Sequence, residues 1–204
     1  MRDSDLRVHV VSGDALAPHL DDVARLRMQV FREWPYLYDG DIAYERGYLA
    51  GYARSPCSVC ILVLDGAQVV GASTGLPLAD EDAAFQAPFA ARGMDISRVF
   101  YFAESVVLPA WRGRGLGHAF FDRREAHARA LGGYALTAFA AVDRAQDDPR
   151  RPGDARDNAR FWRGRGYVRQ ADLTMRLPWN EIGRGDVAHA LTFWTRRLEA
   201  DTAT

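Results

Sequence analysis

Residues Val99–Val142 read VFYFAESVVLPAWRGRGLGHAFFDRREAHARALGGYALTAFAAV, a pattern of strand, glycine-rich turn, helix and strand. The first run, Val99–Leu108, is aromatic and β-branched on both faces, as in a strand covered on both sides of a sheet. Pro109 ends it, because proline cannot donate to a ladder. After the turn, Leu116, Phe120, Phe121, Ala128 and Leu131 recur at helical spacing, with Asp122, Arg123, Arg124, Glu125 and Arg129 on other faces. Gly132 and Gly133 stop that helix, and Tyr134–Val142 is a second buried strand.

Between the first strand and the helix lies Arg112-Gly113-Arg114-Gly115-Leu116-Gly117. Glycines at alternate positions let backbone N–H groups converge without Cβ obstruction, at a helix N-terminus whose free donors and dipole attract anions. Arg112 and Arg114 add positive charge. The turn is a cradle for a phosphate or pyrophosphate. A nucleotide-binding GxxxxGK[ST] loop is excluded, since the chain contains no lysine. A dinucleotide-binding GxGxxG turn is excluded too: counted from Gly113, His118 stands where the last glycine belongs, and Gly132-Gly133 stands near where the acidic residue is expected.

With its flanks, Leu108-Pro-Ala-Trp-Arg-Gly-Arg-Gly-Leu-Gly117 resembles the acetyl-CoA signature of the GNAT superfamily of N-acetyltransferases, R/Q-x-x-G-x-G/A after a strand ending in V-x-P. Arg112, Gly115 and Gly117 take its fixed positions. The resemblance implies that the loop residues Arg112, Gly113, Arg114, Gly115, Leu116 and Gly117 hold the CoA pyrophosphate. It implies that the end of the strand, Val106, Val107 and Leu108, pairs with the pantetheine arm. That arm would lie in a splay between Val99–Leu108 and Tyr134–Val142.

The remaining elements fit this frame. Strands are expected at Leu6–Val11, Cys57–Leu64, Gln68–Gly75, Tyr167–Leu177 and Ala188–Leu198. Helices are expected over Leu16–Glu33, from an Asp41 N-cap to about Ala53, and over Arg156–Arg163. Asp65-Gly66 marks a hairpin. Pro77–Asp95 holds one helical turn or two. The expected fold is α+β: a mostly antiparallel twisted sheet of about seven strands with flanking helices, in one acetyltransferase-like domain over residues 1–204. A polar loop with two prolines, Asp143–Asp154, follows the second buried strand.

The 204 residues suffice for one domain with a good core. A formal net charge of −1 argues against a broad nucleic-acid or membrane footprint. No apolar run spans a bilayer, and the first residues lack a signal-peptide pattern. Cys57 and Cys60 form a lone C-x-x-C with neither a second pair nor nearby histidines, which reads as free thiols in a reducing cytoplasm rather than a zinc site; no metal is expected.

Glu104 is the candidate catalytic residue. It is a lone carboxylate among Phe100, Phe102, Val106 and Leu108, costly to bury unless paired or used. Desolvation would raise its pKa toward a general base's range. The resemblance implies that it deprotonates an attacking amine; the competing reading is a structural pair with a nearby arginine. A backbone N–H near Val106 would hold the tetrahedral oxyanion. Where the superfamily pattern F-Y-x-x-x-G-F/Y carries a tyrosine, this chain has Trp162, which is no acid at pH 7. Tyr36 or Tyr101 could serve instead, or the thiol could leave unassisted. Asn158 is a candidate for the cofactor arm. Trp34, Tyr36, Tyr38 and Asp143 are candidates for an acidic aromatic wall around a cationic small-molecule or peptide amine. His118 and His127 read as surface residues. The expected activity is acetyl-CoA-dependent N-acetyl transfer by a monomer or homodimer. The alternatives are a non-catalytic CoA-binding sensor and a transferase of another acyl group or onto a hydroxyl.

Overall fold

A computed structural model describes residues 6–198; the outermost residues of the expected 1–204 domain lie outside them. Seven strands are formed: β1 (Leu6–Val11), β2 (Val59–Asp65), β3 (Gln68–Pro77), β4 (Val99–Val107), β5 (Leu136–Val142), β6 (Val168–Glu181) and β7 (Gly185–Arg197). Five α-helices accompany them: α1 (Leu20–Phe31), α2 (Ile42–Arg54), α3 (Ala83–Ala91), α4 (Leu116–Leu131) and α5 (Ala159–Gly164). The strands make one sheet in the order β1-β2-β3-β4-β5-β7-β6. Among the described residues only β4 and β5 run parallel.

Local chemistry explains most boundaries. Asp41 caps α2 by accepting from Tyr44 N at 2.8 Å. Gly132, at φ +75°, ends α4 where an L side chain would be strained. Helix α1 starts later than its apolar spacing suggests. Pro18 has no N–H for an i−4 bond, and Gly13–His19 is a 3-10 segment instead. Helix α3 has no amphipathic stripe in its alanine-rich sequence, yet buries Phe85 and Phe89, one turn apart. Helix α4 departs from its expected polar face, for Arg124 and Glu125 are both buried.

Two irregularities position the site. Strands β4 and β5 pair only from Val99↔Leu136 to Tyr101↔Ala138 and then part, which opens the expected splay. In the β3–β4 ladder, Ser73 faces Ser105 while Gly75 faces Phe102, so Ala103 and Glu104 together oppose Thr74. This bulge carries one extra residue and reverses the side-chain alternation beyond it. Before the bulge, Phe100 and Phe102 pack edge-on against His127 and Phe121 of α4. After it, Glu104 meets Arg27 of α1. The sequence reading put Glu104 on the Phe100–Phe102 face; the bulge moves it to the other one.

Cys60 is buried and Cys57 half-buried, both as free thiols. Among the described residues no helix is long and apolar enough to cross a membrane.

Candidate active site

The gap between β4 and β5 holds a cleft of about 400 Å³. β4 contributes Phe102–Ser105 and Val107, β5 contributes Phe139–Val142, and α4 contributes Gly117, Phe120, Phe121 and Arg124. Phe31, Pro35 and Tyr36 also line it, as do Asn158, Phe161 and Trp162. Five expected site residues, Glu104, Val107, Gly117, Asn158 and Tyr36, therefore meet on one cavity. Asn158 is the N-cap of α5, makes no side-chain cap hydrogen bond and lines the cleft.

The glycine turn lies where α4 begins. Gly113 and Gly115 both stand at φ +78°, and Gly115 is the N-cap of α4, with no side-chain cap. The first N–H groups of α4 have no acceptor within the helix. A Cβ at Gly113 or Gly115 would meet nothing within 4 Å, so backbone conformation, not crowding, demands glycine, and the space before the donors is open. Gly117 differs: a Cβ there would press on Phe161 at 3.4 Å. Arg112 is turned toward the protein, donating from Nε to Val107 O at 2.9 Å and pairing with Glu33 at 2.8 Å. These contacts shape the loop, and the side chain remains 45% exposed.

Backbone polarity along β4 follows from two hydrogen bonds. Leu108 N donates to Val70 O of β3 at 2.9 Å, whereas Val107 O is taken by Arg112 from the other side. Alternation turns the Val106 backbone toward β3 and the Ser105 and Val107 amides toward the gap. The donors expected near Val106 are therefore its two neighbours. Val106 and Leu108 themselves are buried side chains.

Glu104 is 5% exposed and is not alone. Its Oε2 accepts from Arg27 Nη1 at 2.5 Å, and Arg27 Nε donates to Glu45 Oε2, also at 2.5 Å. Arg27 lies over the Tyr48 ring at 4.5 Å. One buried guanidinium thus serves two buried carboxylates. Glu104 Oε1 is buried and makes no hydrogen bond of ordinary geometry among the described residues, although the Thr74 hydroxyl nearby helps to lower the carboxyl pKa. Burial pushes the Glu104 carboxyl pKa up and Arg27 pulls it back, the net direction being upward.

The other candidates are distributed unevenly. Burial raises the Tyr36 pKa, so its hydroxyl is protonated at neutral pH. Tyr101 packs on Phe85 and Phe193 and does not line the cleft. Trp162 lines it, packed against Phe139 and Trp194. Trp34 lies outside the lining, under the Arg144 guanidinium. Tyr38 is buried and bridges Glu181 through its backbone. Asp143 is held by Arg169 and Thr192, away from the lining. His118 packs on Phe161, and His127 is half-buried, its Nε2 3.0 Å from Cys57 O. Among the described residues no His, Cys, Asp and Glu side chains gather as a metal site.

Arg27 and Arg124 were not among the expected site residues. Arg27 lies four residues from both Val23 and Phe31, and Arg124 four residues from both Phe120 and Ala128. An arginine inside an apolar stripe is the signal that both carry.

A model of the acetyltransferase (GNAT) family matches residues 20–150, more than half of the chain, and the chain belongs to that family. Acetyl-CoA is accordingly its cosubstrate. Solved structures share the fold at low identity. The Salmonella typhimurium yncA protein, determined with its cofactor acetyl-CoA, is 14% identical over 98% of each chain, with a TM-score of 0.56. An N-acetyltransferase from Staphylococcus aureus Mu50 is 13% identical over 96% of this chain and 100% of its own, at 0.61. A ribosomal-protein-alanine N-acetyltransferase from Brucella melitensis is 13% identical over 94% and 99%, at 0.59. No curated protein sequence matches the chain.

Proposed function

We propose that this protein moves the acetyl group of acetyl-CoA to a primary amine by direct attack on the thioester, with Glu104 as general base. The observation that carries the reading is a buried carboxylate that opens on the splay of β4 and β5, one oxygen of which makes no hydrogen bond of ordinary geometry among the described residues. An ammonium group has no lone pair. Glu104 Oε1 takes one proton from it, and the neutral nitrogen attacks the thioester carbonyl carbon. The Ser105 and Val107 amides face the gap and receive the charge that develops on the carbonyl oxygen. The carbon–sulfur bond then breaks; the nitrogen, cationic after the attack, gives up its second proton, and the departing CoA thiolate takes up a proton to leave as the thiol. Tyr36 stands in the cleft as a hydroxyl donor for that sulfur in place of the tyrosine that Trp162 replaces. A thiol pKa of about 8.5 makes this assistance small. The pyrophosphate lies on the N-terminus of α4, against the amides that follow Gly113 and Gly115. Tyr36 and the carboxylates behind it suit a cationic acceptor.

The test is a screen of spermidine, an aminoglycoside and an alanine-initiated peptide, followed by CoA release, on wild type and Glu104→Gln. Turnover that falls about 100-fold or more in the variant supports the base. Equal turnover removes Glu104 from that role. Acetyl-CoA binding without turnover on any amine would favour a sensor, and turnover on hydroxyl compounds alone would move the acceptor class.

A further inference from the structure

Arg124 is a buried charge that the reaction above leaves unused. It lies two turns into α4, is 1% exposed and lines the floor of the cleft. Its guanidinium is stacked over Phe102 at 4.3 Å and Phe121 at 4.8 Å from the ring centroids. Its recorded hydrogen bonds go to carbonyl oxygens, not carboxylates: Nη1 donates to Thr74 O at 3.3 Å and to Glu104 O at 3.2 Å. Nε has no hydrogen-bond partner among the described residues. Burial pulls the Arg124 pKa down to about 10, which leaves it charged at neutral pH.

Those two carbonyls are the ones the bulge displaces. Thr74 is the single β3 residue that faces both Ala103 and Glu104. A bulge removes backbone groups from the ladder, and a buried carbonyl off the ladder must find another donor. Ser73 Oγ supplies one to Glu104 O at 2.8 Å, and Arg124 ties Glu104 O to Thr74 O across the two strands. A planar guanidinium clamped between two rings is fixed in orientation as a flexible ammonium is not. Were the extra residue expelled, the register would slip by one, and Glu104 would turn from Arg27 to the α4 face.

We propose that Arg124 is a positioning residue: it staples the β3–β4 bulge from beneath and so holds the Glu104 carboxylate on the face of α1. Its importance for turnover rests on Glu104 being the base; its grip on the bulge does not.

The test therefore reads the bulge directly, in full-length wild type, Arg124→Met and Arg124→Gln. Amide hydrogen exchange is followed residue by residue, and the Glu104 carboxyl is titrated by carbon NMR, assigned through Glu104→Gln. In Arg124→Met the amides of Glu104 and Val106 should lose about tenfold or more of their protection while β2 keeps its own. The Glu104 titration should shift in the same variant. Arg124→Gln, which can still donate to one carbonyl, should fall between the two. A folded Arg124→Met with wild-type exchange and titration overturns the proposal, as does protection lost evenly over the sheet. If Arg124→Met does not fold, Arg124→Gln decides by the same two criteria. Full turnover in Glu104→Gln would remove the base and leave the bulge result standing.

Discussion

Glu104 is governed by two opposed effects of one burial. Loss of water disfavours its charge, and Arg27 at 2.5 Å favours it. Removing Arg27 leaves only the first. Arg27→Gln should therefore raise the Glu104 pKa and move the acid limb of the kcat/KM profile to higher pH. It also strands Glu45 and Glu104 as buried carboxylates without their cation, at a cost of about 3–5 kcal/mol, read as a lower midpoint in urea. A pH profile that does not move in a folded variant would mean that another group sets the limb. Tyr36→Phe tests the leaving group. Because a thiolate departs easily, the expected loss in kcat is no more than about tenfold. A loss as large as that of Glu104→Gln would give Tyr36 a role in binding the acceptor.

The N-terminus of α4 holds a glycine, Gly115, that its backbone conformation requires. At Gly115, φ is +78° and the room for a Cβ is empty. Gly115→Ala should thus cost about 1–2 kcal/mol of strain in thermal unfolding and leave acetyl-CoA affinity nearly intact. Gly115→Glu adds a carboxylate at the proposed pyrophosphate site. Calorimetric titration should show acetyl-CoA binding lost in that variant. Retained binding would place the pyrophosphate elsewhere. The parting of β4 and β5 is the counterpart of this turn: in the binding mode proposed above, one end of the helix takes the phosphates and the unpaired strand edges take the arm behind them.

The proposed acceptor wall around Tyr36 depends on residues distant in the chain. Arg144, just past β5, donates to Pro35 O at 2.6 Å, to Tyr36 O at 2.9 Å and to Glu181 Oε2 at 2.8 Å. Trp179 Nε1 also donates to Tyr36 O, at 3.1 Å, and Ile182 N to Leu37 O, at 2.8 Å. The β6–β7 hairpin therefore holds the loop that carries Tyr36. Arg144→Met should raise KM for the amine and leave acetyl-CoA affinity within about twofold, since the phosphate turn is elsewhere. Glu181 is fully buried beneath Arg144, Arg150 and His189. Burial raises its pKa, but hydrogen bonds from Arg150 and Arg144 outweigh this and lower it below 4.5. A carboxylate depressed in the folded state adds stability above its unfolded pKa and loses it as pH falls through the folded one. Thermal midpoints should drop on acidification below about pH 4.5, and less steeply in Glu181→Gln. Parallel curves for the two would assign acid sensitivity to other carboxylates.

Local sequence was enough for the parts of this molecule that local physics decides. The glycine turn, the strands on either side of it, the Asp41 cap and the Asp65-Gly66 hairpin all depend on residues a few positions apart, where φ, capping and side-chain period act. Even the splay followed from the resemblance that the turn carries, and Glu104 was singled out because a lone carboxylate in an apolar strand is conspicuous. The partners of that carboxylate were not legible. Arg27 lies 77 residues away in sequence from Glu104. The face on which the two meet depends on one extra residue in a ladder between strands, and no property of Ala103 or Glu104 alone announces a bulge. Likewise Arg124 counted as polar surface until the sheet covered it, and the helical turns expected within Pro77–Asp95 could not be given bounds because α3 has no amphipathic stripe. Register between strands and the pairing of buried charges arise from contacts distant along the chain, so only the tertiary structure decided which side of the sheet holds the carboxylate and which arginines set its charge.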